Sequence, residues 1–190
     1  MSNRKQRLVP LALSGILFVV YTVTLVVWLL QGTPVVFLDF LATYGVWLLL
    51  TVAGLWLPTP YYAASMLFAF VAQYGGMVWD CYNRFSWFDV AVHFCSGILL
   101  TVWGFFLYRL VTGRRRGLPV LLPTLFATFF SVACAAIWEI YEFTIDTLFG
   151  YDAQILGNFD TMTDIVSGSL GGLLAGVCLL FLLWSRNIRP

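Results

Sequence analysis

Residues 87–111 read WFDVAVHFCSGILLTVWGFFLYRLV, an apolar run long enough to cross a bilayer as one helix. Two ionisable side chains, Asp89 and His93, interrupt the run near its start. Other long apolar runs occur along the chain, of which 61% of residues are hydrophobic and 10% charged. Because a soluble domain carries about 25% charged residues, the sequence predicts an all-α, polytopic membrane protein.

Breaks at polar, glycine and proline clusters divide the chain into six predicted transmembrane helices. They cover about 8–30, 36–57, 61–80, 87–111, 119–148 and 161–185. The length suits a single transmembrane domain over 1–190, with the six helices in one bundle. The basic start Arg4-Lys5-Gln6-Arg7 resembles a signal peptide, but about 23 apolar residues follow without a clear cleavage site. We therefore expect an uncleaved first helix.

The basic residues predict the orientation, because loops rich in Lys and Arg stay in the cytoplasm. Six helices put both termini on one side, and nine of the ten basic residues fall on that side. These nine are Arg4, Lys5, Arg7, Arg109, Arg114, Arg115, Arg116, Arg186 and Arg189. Only Arg84 falls opposite, so the sequence predicts a multi-pass protein of the plasma (inner) membrane with both termini cytoplasmic.

The nine acidic residues all lie at or near the predicted outer ends of the helices. Three sets share a helical face through i, i+3 or i, i+4 spacing. The sets are Asp89 with His93, Glu139 with Glu142 and Asp146, and Asp160 with Asp164. His93 is expected about 9 Å below the outer end of its helix, at a rise of about 1.5 Å per residue. The remaining acids, Asp39, Asp80 and Asp152, are predicted to be solvated surface residues.

The deeper acids predict a metal site. A charged side chain at helix mid-depth costs about 2.5–3.5 kcal/mol on insertion scales, and no Lys or Arg lies at that depth to compensate. One imidazole among carboxylates favours a divalent ion such as zinc, manganese or iron. The candidate ligands are His93, Glu139, Glu142, Asp146, Asp160 and Asp164, and the candidate catalytic residues are Glu139 and Asp89. Asp89, Asp146 and Asp160 could instead be interfacial acids with their carboxylates in water.

Two further patterns favour packing over chemistry. The four cysteines form no C-x-x-C pair, which argues against a zinc finger or a redox motif. Gly168, Gly172 and Gly176 repeat every fourth residue in the last predicted helix, a spacing that lets a neighbouring helix approach closely. We expect that contact within the bundle rather than between two copies of the chain.

Three functions fit this pattern. The first is a metal-dependent hydrolase or transferase that acts at the outer face on a lipid or lipid-linked headgroup. The second is a cation- or proton-coupled transporter or channel, although the sequence shows no inverted repeat. The third is a non-catalytic membrane module in which a metal or polar network holds helices together. The predicted partners are membrane lipids and no nucleic acid, and the oligomeric state stays open.

Three short motifs in the second half of the chain resemble those of a known family. They are Asp89-x-x-x-His93-x-x-x-Gly97, Trp138-Glu139-x-x-Glu142 and Gly157-Asn158-x-Asp160-Thr161-x-x-Asp164. The combination resembles the YjdF-type family of bacterial inner-membrane proteins of unassigned function. It is also loosely similar to the VanZ-like membrane proteins, which share an Asp/His helix followed by a Glu-bearing helix. The resemblance implies a polar site on these helices and assigns no reaction to it.

Overall fold

The computed structural model describes most of the chain, and the regular elements in that part are helical. The described residues are 2–33, 37–54, 57–76, 78–113, 119–151, 153–154 and 157–187. Because these stretches contain helices and no strand, the predicted all-α class is confirmed. Contacts between residues divide the chain into two compact units, Met1–Phe85 and Ser86–Pro190. A single domain over the whole chain stays a prediction.

The first unit contains four α-helices and one π-helical turn. The α-helices are α1 Ser2–Gln31, α2 Phe37–Ala53, α3 Thr59–Ala69 and α4 Cys81–Arg84, and the π-helical turn is Phe70–Gly75. Tyr62 and Met66 on α3 are buried in this unit. The Tyr62 hydroxyl donates a hydrogen bond of 3.1 Å to the carbonyl oxygen of Pro10 on α1. Tyr62 therefore buries its ring in the unit while its hydroxyl links α3 to α1 by a hydrogen bond.

The third predicted helix, 61–80, forms over most of its length, but its geometry changes within it. The α-helical geometry ends at Ala69, and the π-helical turn that follows ends beside Gly76. A β-carbon at Gly76 would overlap the Tyr82 ring, so the glycine lets the following segment fold back. Asp80 then adopts a φ of 58°, the left-handed region that Asp tolerates better than most residues. The chain consequently turns before α4, close to the predicted end of the helix at residue 80.

The second unit contains three long helices. They are α5 Phe88–Val111, α6 Leu121–Phe149 and α7 Asn158–Asn187. The Thr101 hydroxyl of α5 donates to the Gly172 carbonyl oxygen of α7 at 3.2 Å, and the Ser131 hydroxyl of α6 donates to the Gly97 carbonyl oxygen of α5 at 2.8 Å. Val90 of α5 also contacts Ser167 of α7, and Gly104 of α5 contacts Ala127 of α6. The order of these contacts along the chain makes α5 parallel to α7 and antiparallel to α6.

Glycines bring α7 very close to its two neighbours. A β-carbon at Gly97 would overlap the Gly168 carbonyl oxygen, and one at Gly176 would overlap the Thr128 hydroxyl. A β-carbon at Gly172 would lie 2.8 Å from the Ser131 hydroxyl oxygen. The predicted small-residue contact within the chain is therefore confirmed, and it fixes the register of the three helices.

Among the described residues, four helices are long and apolar enough to cross a membrane. They are Leu8–Gln31, Phe88–Val111, Leu121–Phe149 and Asn158–Ser185. The second helix, α2, contributes a shorter apolar stretch, Phe40–Ala53, and ends at Ala53 rather than at the predicted residue 57. The chain is thus a multi-pass membrane protein. Six membrane crossings and cytoplasmic termini remain predictions.

Candidate metal centre

Three helix ends meet at one end of the second unit. Asp89 lies in the first turn of α5, and His93 follows one turn later. Asp164 has the corresponding place on α7, one turn after Asp160 in that helix's first turn. Because α6 runs the opposite way, Glu139 reaches the same level near its C-terminal end. The contact of α5 with α7 at Gly97, one turn beyond His93, holds these side chains at a common depth.

The His93 imidazole is flanked by three carboxylates. Its Nε2 lies 3.4 Å from Asp89 Oδ1 and 3.9 Å from Asp164 Oδ2. Its Nδ1 lies 3.8 Å from Glu139 Oε1. The side chains of Glu139 and Asp164 are each 2% exposed, whereas that of Asp89 is 32% exposed. Asp89 is therefore the most accessible carboxylate around the ring.

Asp89, His93 and Asp164 form a group whose geometry suits a metal ion. One possible ligand atom from each residue lies within 4.8 Å of the other two. A tetrahedral zinc with bonds of about 2.1 Å keeps its ligand atoms about 3.4 Å apart. A small inward movement would thus bring the three atoms to coordination distance, with ligands from two helices.

Glu139 is buried beside this group without being part of it. Both of its carboxylate oxygens are buried and lack a hydrogen-bond partner within the described part of the chain. The Gln154 side chain is near enough to affect the Glu139 carboxylate, and its amide nitrogen also donates to the Thr161 hydroxyl at 2.5 Å. A buried carboxylate without partners is costly, which indicates that a proton, water or cation belongs near it.

The other predicted ligands have different surroundings. Glu142 Oε1 accepts a hydrogen bond of 2.7 Å from the Trp138 indole nitrogen. Asp146 accepts hydrogen bonds from the backbone nitrogens of Ala153 at 2.8 Å and Gln154 at 3.0 Å, so it holds the loop after α6. Asp160 is half-buried and acts electrostatically on Glu139 and Asp164. Their roles as ligands stay predictions, and none belongs to the three-residue group.

The predicted surface acids are only partly covered by the structure. Asp80 is a surface residue, as predicted: its side chain is 49% exposed, forms an ion pair of 3.7 Å with Arg84 and accepts a hydrogen bond from Asn83. The side chain of Asp39 and the whole of Asp152 lie outside the described residues.

Basic side chains are remote from the site in the described part of the second unit. Arg109 lies on the same helix as His93, sixteen residues further along, which is about 24 Å at 1.5 Å per residue. Its guanidinium carbon lies 5.7 Å from the centre of the Phe105 ring. The described part of the second unit therefore has no Lys or Arg near the carboxylates around His93 to balance their charge.

Two neighbours of the site were not predicted from the sequence. Trp138, which donates to Glu142, stands four residues before it, so helical spacing could have revealed the pair. Gln154 lies in a loop with no periodic pattern, and nothing in the sequence indicated its place. Ser167, three residues after Asp164 on α7, donates to the Val90 carbonyl oxygen at 2.6 Å and so links α7 to α5.

Comparison with known proteins assigns the chain to a family without assigning a reaction. No curated protein and no solved structure matches the chain. A sequence model of one family, described as a predicted membrane protein (DUF2238), matches residues 8–186. This match covers all three helices that form the site, and the chain accordingly belongs to the DUF2238 family of predicted membrane proteins.

Proposed function

We propose that this protein binds a divalent metal ion between Asp89, His93 and Asp164 and uses it in hydrolysis or group transfer on a lipid or lipid-linked headgroup. The observation that carries the proposal is the three-residue group itself, in which one ligand atom of each residue lies within 4.8 Å of the others. His93 and Asp164 are buried, so these ligands are held inside the helix packing.

Charge balance supports a bound cation. A protonated His93 would neutralise only one of the three carboxylates around it. Charged groups within membrane-spanning helices usually face a partner or a water-filled cavity, and the described basic side chain of this unit, Arg109, is far along α5. One imidazole with two carboxylates suits zinc, manganese or iron. Three protein ligands also leave a position for water, as in catalytic zinc sites.

The proposed chemistry follows from this arrangement. A divalent ion lowers the pKa of a bound water and so provides a nucleophile near neutral pH. Asp89 and Glu139 were the candidate bases from sequence, and their burial favours Asp89, whose side chain is 32% exposed against 2% for Glu139. With one oxygen toward the ion, Asp89 retains a second oxygen that can accept a proton from the water.

The choice of a lipid substrate rests on the predicted topology and on an apolar groove. The positive-inside pattern predicts that this end of the helices lies at the outer face, at headgroup depth. Along the same two helices, α5 and α7, runs a groove of about 520 Å³. Its apolar lining includes Val90, Phe94, Val166 and Leu170. A lipid chain in this groove would keep its headgroup near the ends of the helices that carry Asp89 and Asp164. The YjdF-type resemblance agrees with a bacterial inner membrane.

One alternative has its own support. The polar group joins α5, α6 and α7, so the same residues could act as a structural network without catalysis. Transport has less support, because the deeper hydroxyls of Thr101 and Ser131 donate to backbone carbonyl oxygens instead of continuing a polar path.

Metal analysis of the purified protein tests the proposal. We expect about one equivalent of zinc, manganese or iron per chain in detergent micelles, lost in His93→Ala and Asp164→Asn. Asp80→Asn is the matched control, because it removes an exposed carboxylate of the first unit. Headgroup release from a panel of phospholipids and lipid-linked substrates should need the metal. A metal-free wild type would overturn the proposal, and metal binding without turnover of any substrate would favour the structural alternative.

A further inference from the structure

The two ring nitrogens of His93 face different partners. Nε2 points to the metal-binding group, 3.4 Å from Asp89 Oδ1 and 3.9 Å from Asp164 Oδ2. Nδ1 faces Glu139 Oε1, at 3.8 Å, on the third helix. A neutral imidazole carries an N–H on one nitrogen and a lone pair on the other. One nitrogen of His93 can therefore bind a metal ion while the other donates a hydrogen bond.

Glu139 is built into the site although it contributes no atom to the ligand group. Its carboxylate is buried, and neither oxygen has a hydrogen-bond partner in the part of the chain that the structure describes. The three ligand atoms that lie within 4.8 Å of one another belong to Asp89, His93 and Asp164. Glu139 is thus a buried acceptor without a donor, next to the second nitrogen of the proposed histidine ligand. A carboxylate that orients the histidine would lie at this position.

The packing of α6 keeps Glu139 at this position. One turn before it, Ala135 lies against Gly168, whose added β-carbon would be 3.1 Å from the Ala135 β-carbon. Two turns before it, the Ser131 hydroxyl donates to the Gly97 carbonyl oxygen of α5 at 2.8 Å. The Glu139 backbone is thus fixed against both helices that carry the proposed ligands.

We propose that Glu139 is a positioning residue that accepts a hydrogen bond from His93 Nδ1–H and thereby directs Nε2 to the metal ion. The proposal rests on the proposed function, since it assigns a role at the same site. Metal-bound histidines commonly donate their other N–H to a carboxylate, which fixes the tautomer and strengthens the ligand. The present 3.8 Å is longer than a hydrogen bond, and such contacts often shorten when a site is filled.

The wild-type protein gives the first test. His93 is the one histidine of the sequence, so labelling histidine with ¹⁵N in the ring yields two nitrogen signals from this residue alone, provided that the affinity tag contains no histidine. With zinc added to the full chain in micelles, we expect Nε2 to show the shift of a metal-bound nitrogen and Nδ1 to keep a directly bonded proton. Metal binding through Nδ1 would overturn the proposal.

Variants of Glu139 give the second test. Glu139→Gln should weaken zinc binding by about 10- to 100-fold and move the resonance of the Nδ1-bound proton. Glu139→Asp, which keeps the carboxylate on a shorter chain, should recover part of the affinity. Asp80→Asn serves as the control for loss of a carboxylate away from the site.

The outcomes separate this inference from the proposed function. If the wild type binds no zinc, both are wrong. If the wild type binds zinc and Glu139→Gln matches its affinity within twofold with an unmoved Nδ1-bound proton, only the positioning role is wrong. If Glu139→Gln does not fold, the wild-type nitrogen signals still decide which nitrogen binds the metal.

Discussion

The two units of this protein satisfy their buried polar groups in different ways. In Met1–Phe85, the described buried polar side chains are neutral hydroxyls. Ser14 shares a hydrogen bond of 2.6 Å with Thr51, and the Thr24 hydroxyl donates to the Val20 carbonyl oxygen at 2.9 Å. Each of these hydrogen bonds is complete within the described residues, so the polar groups serve the packing of the helices.

In Ser86–Pro190, buried ionisable groups accompany such hydroxyls. His93, Glu139 and Asp164 are all buried, and Glu139 has no described hydrogen-bond partner. A neutral hydroxyl can return its hydrogen bond to the backbone of its own helix, whereas a carboxylate needs a donor or a cation from elsewhere. Hydrophobic content alone therefore does not distinguish the two units, whereas their buried ionisable groups do.

The largest expected difference between the units is in how much a Gly→Ala substitution changes their stability. A β-carbon at Gly97 would overlap the Gly168 carbonyl oxygen and lie 2.8 Å from the Gly172 nitrogen, and backbone atoms cannot move aside. We expect Gly97→Ala to lower the free energy of unfolding by about 3 kcal/mol, at the upper end of overpacking costs. Thermal unfolding of the purified protein in micelles measures the change.

Gly45 in the first unit provides the matched control. It also lies within a helix, but nothing is within 4 Å of its added β-carbon. Gly45→Ala should raise stability by up to about 1 kcal/mol through its better helix propensity. Equal effects of the two substitutions would mean that close contact between α5 and α7 does not hold the second unit together.

The next largest effect should come from removing the metal. A cation present at 100 times its dissociation constant stabilises the folded state by about 2.7 kcal/mol. A chelator should therefore speed amide hydrogen exchange near His93 and Asp164 and leave exchange near Ser14 and Thr51 unchanged. If the chelator accelerated amide exchange equally in both units, or in neither, the result would argue against a metal site confined to the second unit.

Sequence periodicity predicted where the long helices of the second unit lie, and in the first unit it missed a local change of helix geometry. The predicted helix over 87–111 corresponds to Phe88–Val111, and that over 119–148 to Leu121–Phe149. Long apolar runs predict such helices because the bilayer core contains no water, so the backbone groups must form their hydrogen bonds within the helix. The prediction over 61–80 missed the π-helical turn at Phe70–Gly75 and the left-handed Asp80, because both depend on local backbone geometry that hydrophobicity does not report.

The sequence indicated residues of the candidate site but not their arrangement, and their roles stay predictions. The i, i+4 spacing of Asp89 and His93 indicated a shared face, and the structure places Asp164 beside the same ring. Spacing along one helix could not tell which nitrogen faces which carboxylate, because that depends on the crossing of three helices. Spacing also could not predict that Asp146 accepts a hydrogen bond from a backbone nitrogen of the loop after α6. That contact depends on the chain reversal at Gly150, which has a φ of 65°.

A smaller effect distinguishes two buried serines. The Ser131 hydroxyl donates to the Gly97 carbonyl oxygen at 2.8 Å, while Ser14 bonds to Thr51. Ser131→Ala and Ser14→Ala should each cost about 1 kcal/mol of stability, the usual value for one hydrogen bond. Only Ser131→Ala should also weaken zinc binding, because it loosens α6 below Glu139. A titration of both variants with zinc would show this, and a loss of affinity in Ser14→Ala would contradict the division between the units.

The smallest effect concerns Asp146, which the sequence placed among the metal ligands. Its two oxygens accept from the backbone nitrogens of Ala153 and Gln154 at 2.8 and 3.0 Å. Asparagine can accept only one of these hydrogen bonds, so Asp146→Asn should cost about 0.5–1 kcal/mol locally. Hydrogen exchange at the Ala153 and Gln154 amides should then become about threefold faster. If the variant instead loses its metal while exchange at these amides stays the same, Asp146 is a ligand and the loop contact is incidental.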